Sequence, residues 1–439
     1  MEYIAREELE KLQFLRLKET LRRVYKSSPF YKRLFKENGL KPLNFKSLKD
    51  LPQIPFTTRE DLRKNFPYGF LTLPLNRIVR LHTSTGTTGK PKAIFFSKKD
   101  IENSAGLIAR SMKMTGAKDK DVFQNMMSYG LFTGGLIFHY GAEKLGLLVI
   151  PAGAGNTERQ IELMMDFKTT IVHITPSYAL YLADILEEKG INPRKNLNLR
   201  MAYLGAEPYS ETTRQKIEQI FNIKAFNSYG LSEMNGPGVA FECQFKEGMH
   251  LWEDNFILEI IEPSTGKVLP DGEEGEIVLT SINREAMPIL RYRTGDIAFV
   301  YPDKCQCERT HRQISRIKSR VDDMFIIRGV NVFPSEVERI LMSLSEVGRN
   351  YPVSYTHLRA HETPEHGDVY KRQDVMRVKV EIKKELFDGS LEHLRELEEK
   401  IKAKLKSELM LTPKVELVEP ATLPRTTGKA KRVIDKRKI

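Results

Sequence analysis

From about residue 78 to 320 the chain alternates short apolar runs with amphipathic ones, and no other feature constrains its fold as much. LGLLVIPAG is followed by TERQIELMMDF, TIVHITPS, YALYLADILEEKG and RMAYLGAEP. Short apolar runs bounded by Gly and Pro read as strands, and the segments between them carry the 3.6-residue period of helices. The expectation is an α/β domain with largely parallel sheets. Residues 1–65 read as helical, with breaks at SSPFY and LPQIPF. HLWEDNFILEIIEPSTGKVLPDGEEGEIVLTSI has a different texture, strands separated by turn clusters, and implies a hairpin-rich subdomain. After about residue 321 a smaller α+β unit follows, with a helix over SLEHLRELEEKIKAKLKSEL.

A chain of 439 residues exceeds one ordinary core and implies two or three domains. No apolar run reaches the roughly eighteen residues of a membrane span. The N-terminal MEYIAREELEKLQFLRLKETLRRVY is charged and helix-periodic, unlike a signal peptide, so the expected compartment is the cytoplasm. The net charge is +12, but Lys and Arg are spread along the chain, dense only in GKAKRVIDKRKI. A nucleic-acid binder concentrates its charge in a patch with interleaved aromatics. Dispersed charge fits a solvated basic surface that also attracts phosphate-rich small molecules.

The three cysteines are Cys243, Cys305 and Cys307, an odd count that argues against a disulfide framework. Cys243-x6-His250 and Cys305-x-Cys307 form two short knuckles. If they converge, they supply the Cys₃His set of a structural Zn²⁺. The alternative is three free thiols with His250 on the surface.

HTSTGTTGKPK, residues 82–92, has the chemistry of a phosphate loop. Gly86 and Gly89 permit tight turns. Ser84, Thr85, Thr87 and Thr88 offer hydroxyls, and Lys90 adds a cation. The GxxxxGK[ST] spacing of a Walker A loop is absent. Standing alone, the stretch would read as a polar surface turn.

It does not stand alone. STGTTGKP resembles the phosphate-binding motif of the adenylate-forming superfamily of acyl-CoA synthetases, luciferases and peptide-synthetase adenylation domains. NSYGLSE (227–233), YRTGD (292–296), RIKSRVDDMFIIRGVNVFP (316–334) and PRTTGKAKR (424–432) follow in that superfamily's order. They resemble its aromatic-glycine-acid, ribose-binding, hinge and catalytic-lysine motifs. YGLFTGG (129–135), AYLGAEP (202–208), YGLSEMNGPGVAFEC (229–243), HLWEDNF (250–256) and RGVNVFP (328–334) are similar to the phenylacetate–CoA ligase family in particular. The resemblance covers nearly the whole chain apart from its opening stretch. It implies a large N-terminal adenylation domain over 1–321 and a small mobile C-terminal domain over 322–439.

The activity it implies has two halves. A carboxylate attacks the α-phosphate of ATP to give acyl-AMP and diphosphate, and the thiol of coenzyme A then displaces AMP. Positioning and charge neutralisation dominate such chemistry. By the resemblance, Lys429 bridges carboxylate and α-phosphate, although by itself it is one Lys among many in a basic tail. Glu233 is the Mg²⁺ ligand. Tyr229 stacks on adenine, Asp296 accepts from the ribose hydroxyls with Arg320 alongside, and Gly205 and Ala206 line the base and acyl pockets. Glu207, Asn227 and Gly230 fall on the nucleotide side. Tyr129, Phe132, Gly134 and Pro237 fall on the acyl side, where an aromatic wall with glycine-made space suits a flat ring. The competing reading makes Tyr129 and Phe132 core aromatics at a strand–helix junction. Asp322 marks the pivot between domains. The implied partners are ATP, an aryl acid and coenzyme A, with neither nucleic acid nor membrane, and a homodimer is left open. Ligases for other aryl or acyl acids, an indoleacetate type among them, and a deazaflavin-adenylating enzyme share these motifs.

VSYTHLRAHETPEHGDVYKRQ, residues 353–373, breaks the resemblance. It holds His357, His361 and His366, a metal-like grouping at first sight. Val353–His357 can be encoded GTC TCT TAT ACA CAT. The opposite strand, one frame over, reads GTG TAT AAG AGA and encodes Val369–Arg372. The ends are thus compatible with an inverted DNA repeat, and the strings resemble translated transposase adapters. The segment is expected to be a non-native insert that replaces a strand of the small domain.

Overall fold

The computed structural model describes residues 1–84, 92–321, 325–327, 330–344, 346–347, 353–357, 374–382, 391–409, 411–419, 422–423 and 433–435. The expectations for Thr85, Gly86, Thr87, Thr88, Gly89, Lys90, Asp322, His361, His366 and Lys429 lie outside the described residues, as does that for the Ser84 side chain.

The N-terminal helices run Arg6–Ser27 and Pro29–Glu37. They separate at the SSPFY break, where Ser28 caps the second helix by accepting from the Tyr31 N–H and Pro29 takes the first helical position. Beyond them lies an eight-stranded sheet. Its order is Gln313–Ile314, Met249–Leu251, Gly236–Glu242, Lys224–Leu231, Met201–Leu204, Ile171–Ile174, Val122–Asn125, Leu148–Ile150. From Lys224–Leu231 to Leu148–Ile150 every pairing is parallel. On the other side every pairing is antiparallel. The sheet is therefore mixed, and only its strand–helix half follows the largely parallel expectation. The fully buried strands Ile171–Ile174 and Met201–Leu204 explain their unbroken apolar runs. The hairpin-rich texture corresponds to an antiparallel sheet ordered Phe256–Ile261, Gly275–Ser281, Tyr292–Ala298, Ser319–Arg320. Arg80–Ser84 and Lys92–Phe96 form a further antiparallel pair, with Ser84 opposite Lys92.

The chain resolves into two compact units. One comprises 1–174, 194–206 and 223–321, and the other 175–193, 207–222 and 322–439. The second unit thus gathers two helices, Pro176–Glu188 and Glu211–Phe221, that a division at residue 321 assigns to the large domain. Contacts between segments distant in the chain tie Glu211–Phe221 to this unit. Thr213, in the first turn of Glu211–Phe221, donates its hydroxyl to Glu338 Oε1 (2.8 Å), and the N–H of the capping Ser210 donates to the same oxygen (3.3 Å). A buried acid at a helix N-terminus is a favourable anchor.

The rest of the second unit carries a four-stranded sheet ordered Lys414–Val418, Asp374–Glu381, Val353–His357, Val433–Asp435. Met376, Val378 and Val380 bury one face of their strand, at the period of two that a half-buried strand requires. They pack with Val337, Ile340 and Leu341 of the helix Pro334–Met342 and with Ile401 and Leu405 of the helix Leu391–Leu409. The opening of the segment expected to be non-native, VSYTH, is itself a strand. Val353–His357 pairs antiparallel with Asp374–Val378 and parallel with Val433–Asp435. Sheet pairing uses the backbone, and Val, Tyr and Thr are good strand formers whatever their origin. No helix among the described residues is long and apolar enough to cross a membrane.

Candidate active site

Lys224–Leu231 runs through the middle of the large sheet and ends in a single turn, Ser232–Met234, that presents Glu233. Its partner Gly236–Glu242 returns through Asn235 and Gly236, both at positive φ. The register slips between Tyr229 and Gly230. There the two backbones come so close that a Cβ on Gly230 would lie 2.6 Å from Pro237 Cα, and only glycine fits. The tight crossing aims Tyr229 and Glu233 at the strand Tyr292–Ala298.

The two strands exchange partners. The Tyr229 hydroxyl donates to Asp296 Oδ2 (2.7 Å), and the Tyr292 hydroxyl donates to Glu233 Oε1 (2.9 Å). Each motif supplies a tyrosine to the acid of the other. Each acid also meets a cation: Lys92 Nζ donates to Glu233 Oε1, and Arg320 Nη1 donates to Asp296 Oδ1. Arg320 reaches Asp296 because the two residues face each other across the antiparallel pair. The Thr294 hydroxyl, two residues ahead on the strand, accepts from the Asp296 N–H (3.1 Å).

Burial sets the electrostatics. Glu233 is 4% exposed and Lys92 8%. Desolvation alone would raise the Glu233 pKa, but the Lys92 charge and hydrogen bond outweigh it and hold the carboxyl below its usual range. Desolvation, followed by the adjoining carboxylates, pushes Tyr229 and Tyr292 well above the ordinary phenol value, so both remain neutral donors. Arg284 is buried and donates to the Phe95 carbonyl (2.9 Å) and the Glu233 carbonyl (2.5 Å), and its desolvation lowers its pKa to about 10. Two buried acids held by neutral donors and fixed cations form a preorganised polar site.

Gly205 and Ala206 follow the strand Met201–Leu204. Ala206 adopts φ +70°, a left-handed conformation that costs a non-glycine residue about 1–3 kcal/mol and concentrates at functional sites. The Asn227 N–H donates to Glu242 (2.7 Å), which uses its backbone group within the sheet region. Glu207 belongs to the second unit, where it accepts from the Ser177 N–H (2.7 Å) in the first turn of Pro176–Glu188. On the acyl side, the Tyr129 hydroxyl accepts from Asn125 Nδ2 (3.0 Å) and lies 3.2 Å from His139 Nδ1. Burial raises its pKa to about 12. Phe132 is 42% exposed and precedes the helix Thr133–Leu145, so it is not a core aromatic. A Cβ on Gly134 would meet nothing within 4 Å, and Pro237 is half-buried opposite Gly230.

Sequence reasoning passed over Lys92, Tyr292, Thr294 and Arg284. Lys92 closes the same string as Lys90, and Tyr292 opens YRTGD, so both were visible. Nothing in their spacing said which distant acid each would meet.

The three cysteines and His250 do converge. One donor atom from each falls within 4.8 Å of all the others. Cys243 and Cys305 approach to 3.6 Å between sulfurs, and Cys307 Sγ lies 3.1 Å from His250 Nε2. The Cys243 thiol, donating to Cys307, holds the latter far below the usual thiol range, while the same bond and burial push Cys243 up.

The mixed sheet and the smaller α+β unit are matched by patterns and solved structures of known proteins. The AMP-binding enzyme pattern matches residues 70–284, and the AMP-binding enzyme C-terminal domain matches 329–437. The phenylacetate-coenzyme A ligase of Thermus thermophilus is 41% identical over 455 residues, covering 100% of this chain and 99% of that protein. Its Escherichia coli counterpart is 40% identical, covering 99% of this chain and 96% of that protein. A crystal structure of 2-hydroxyisobutyryl-CoA ligase in the postadenylation state, in complex with R3-HIB-AMP, superposes with a TM-score of 0.91 at 28% identity, over 99% of this chain and 91% of that one. The chain belongs to the phenylacetate–coenzyme A ligase family of AMP-binding enzymes.

Proposed function

We propose that this protein is a phenylacetate–CoA ligase, a cytoplasmic acid–thiol ligase that forms AMP. The reading rests above all on identity of about 40% to phenylacetate-coenzyme A ligases along the full length of the chain. In the first half-reaction a carboxylate oxygen of the aryl acid attacks the α-phosphorus of ATP. An acyl–phosphate bond forms and diphosphate leaves. In the second, the sulfur of coenzyme A attacks the acyl carbon, AMP leaves, and the thiol proton is lost.

Asp296 and Arg320 are proposed to hold the ribose hydroxyls, with Tyr229 as the wall of the adenine pocket. Tyr229 is 7% exposed and its hydroxyl is committed to Asp296, so its role is to orient that acid as well as to face the base. Glu233 fits a Mg²⁺ ligand, being one buried carboxylate kept ionised, and Mg²⁺ takes one or two carboxylates alongside phosphate oxygens. When bound, Mg²⁺ would neutralise phosphate charge. Lys92 balances Glu233 and fixes the side that its carboxylate presents. Lys429 is assigned to the adenylation half alone. Tyr129, held by Asn125 and His139, would present one wall of the acid pocket, with Phe132 beside it.

A carboxylate panel scored for both diphosphate and thioester tests the reading. Arylacetates should exceed aliphatic acids and 2-hydroxy acids in both signals. Preference for an indole acid or an aliphatic acid would reassign the substrate, and diphosphate release without thioester would point to transfer of AMP alone. Lys429→Ala should abolish acyl-AMP formation yet leave thioester formation from supplied acyl-AMP intact. Equal loss of both halves would remove the division of labour. Residues 353–373 are held to be non-native, and adapter-free resequencing of the source DNA should lack them. Recovering the segment intact would refute this.

A further inference from the structure

We infer that Cys243, His250, Cys305 and Cys307 bind one structural Zn²⁺ that clasps the antiparallel edge of the large sheet. All three cysteines of the chain and one of its nine histidines meet at this point, although they come from separate segments. Cys243 directly follows the strand Gly236–Glu242, and His250 lies on Met249–Leu251. Cys305 and Cys307 sit in the loop ahead of the edge strand Gln313–Ile314. Cys243 and His250 are fully buried and Cys305 is 5% exposed.

The four donors lie close enough to share one ion, all within 4.8 Å of one another. Bonds of about 2.3 Å to sulfur and about 2.0–2.1 Å to nitrogen give edges of roughly 3.5–3.8 Å. The observed separations are 3.6 Å between Cys243 and Cys305 and 3.1 Å between Cys307 and His250. A disulfide would need about 2.0 Å and would leave the third cysteine over.

A second observation concerns the imidazole. His250 Nδ1 lies 3.0 Å from the His311 backbone carbonyl, which can only accept, so Nδ1 carries the proton. Nε2 then turns its lone pair toward the sulfurs. A backbone carbonyl behind the ring is the usual way in which a metal-binding histidine is oriented. Three soft sulfurs and one imidazole select Zn²⁺ over hard cations, and a closed four-donor set leaves no open position for a reacting molecule. The ion is therefore structural and separate from the ligase chemistry.

Its task follows from what the loop carries. Gln313–Ile314 has only two residues, paired with Met249 and His250, which is little to hold a sheet edge. The same loop binds the N-terminus: Arg309 Nε donates to Glu2 Oε2 (2.7 Å), and the Thr310 N–H donates to the Glu2 carbonyl (2.9 Å). Arg312 donates to the buried Glu253 (2.9 Å), which also accepts from Arg6 of the first helix (2.7 Å). Zn²⁺ at the four donors would fix this loop and, through it, the first helix.

Elemental analysis of the full-length protein, purified without added metal or chelator, should return about one zinc per chain. Cys307→Ser and His250→Ala should each lose that zinc. Wild-type protein stripped of metal and reloaded with Co²⁺ should show the intense visible bands and sulfur-to-cobalt charge transfer of a tetrahedral thiolate site. This measurement does not require the variants to fold. The N-terminal residues should become protease-sensitive on stripping and protected again with Zn²⁺. Wild-type protein without zinc and without thiolate–cobalt bands, or an intact Cys243–Cys305 disulfide by mass spectrometry, would overturn the assignment. These readouts are independent of ligase activity, so failure here leaves the proposed reaction standing, and the converse holds.

Discussion

Two buried clusters in this chain are drawn from distant segments, and they handle charge in opposite ways. In the acid cluster each carboxylate meets one cation and one tyrosine hydroxyl: Glu233 with Lys92 and Tyr292, Asp296 with Arg320 and Tyr229. The cluster is balanced from within and holds its shape before any ligand arrives. In the cysteine cluster, four electron-pair donors converge, with the Arg309 side chain beside Cys307 and a backbone carbonyl behind the imidazole. Such donors repel unless protons or a cation are shared among them. The first arrangement suits a site that receives nucleotide repeatedly, and the second suits an ion that stays.

The strongest break in this comparison is to unbalance the acid cluster. Lys92→Met or Glu233→Leu leaves one buried charge unpaired and should cost about 3–5 kcal/mol of stability by urea unfolding. The double substitution should recover most of that stability while adenylation remains lost. Full additivity of the two losses would show that the pair is not coupled. Next in size, Gly230→Ala must push apart the strands Lys224–Leu231 and Gly236–Glu242 at a backbone contact, for about 2–3 kcal/mol. An unchanged denaturation midpoint would argue against the close crossing.

The exchanged tyrosines offer a finer test. Tyr292→Phe and Tyr229→Phe should each cost about 1–3 kcal/mol, because each leaves a buried acid short of a donor. Tyr292→Phe should raise the Mg²⁺ requirement for diphosphate release, and Tyr229→Phe should raise the KM for ATP. Identical kinetic changes in both variants would merge two roles that the geometry keeps apart.

The smallest effect is a slope. Desolvation lowers the His173 pKa from the ordinary value to about 3, in a site where its ring stacks on Phe138 and Nδ1 bonds to Asn125 Oδ1 (3.1 Å). Its stability contribution is whole above the unfolded value near 6.5. As the pH falls toward 3 the unfolded chain takes the proton and the folded one does not, so stability declines by about 1.4 kcal/mol per pH unit. Urea unfolding of His173→Gln between pH 7 and 4.5 should show a flatter slope, and an unchanged slope would assign the effect elsewhere.

Much of the fold was legible because hydrophobic periodicity is local. Strands such as Met201–Leu204 and helices such as Pro176–Glu188 are written in consecutive residues. The site was legible only piecewise: YGLSE and YRTGD each carry their acid within five residues. Their exchange of tyrosines was not, because it depends on the crossing at Gly230 and on the register that sets Asp296 opposite Arg320. The contact between Thr213 and Glu338 was hidden for the same reason, since the two lie 125 residues apart.

Read alone, the residues indicated which segments become strands and helices, which family the chain resembles, and that three cysteines argue against a disulfide framework. Those are matters of residue type and short spacing. Only the tertiary structure decided which acid meets which tyrosine and cation, that Cys243, His250, Cys305 and Cys307 share one point, and that VSYTH pairs as a strand. These depend on register and on close approach between segments far apart in the chain, and no short stretch of residues encodes either.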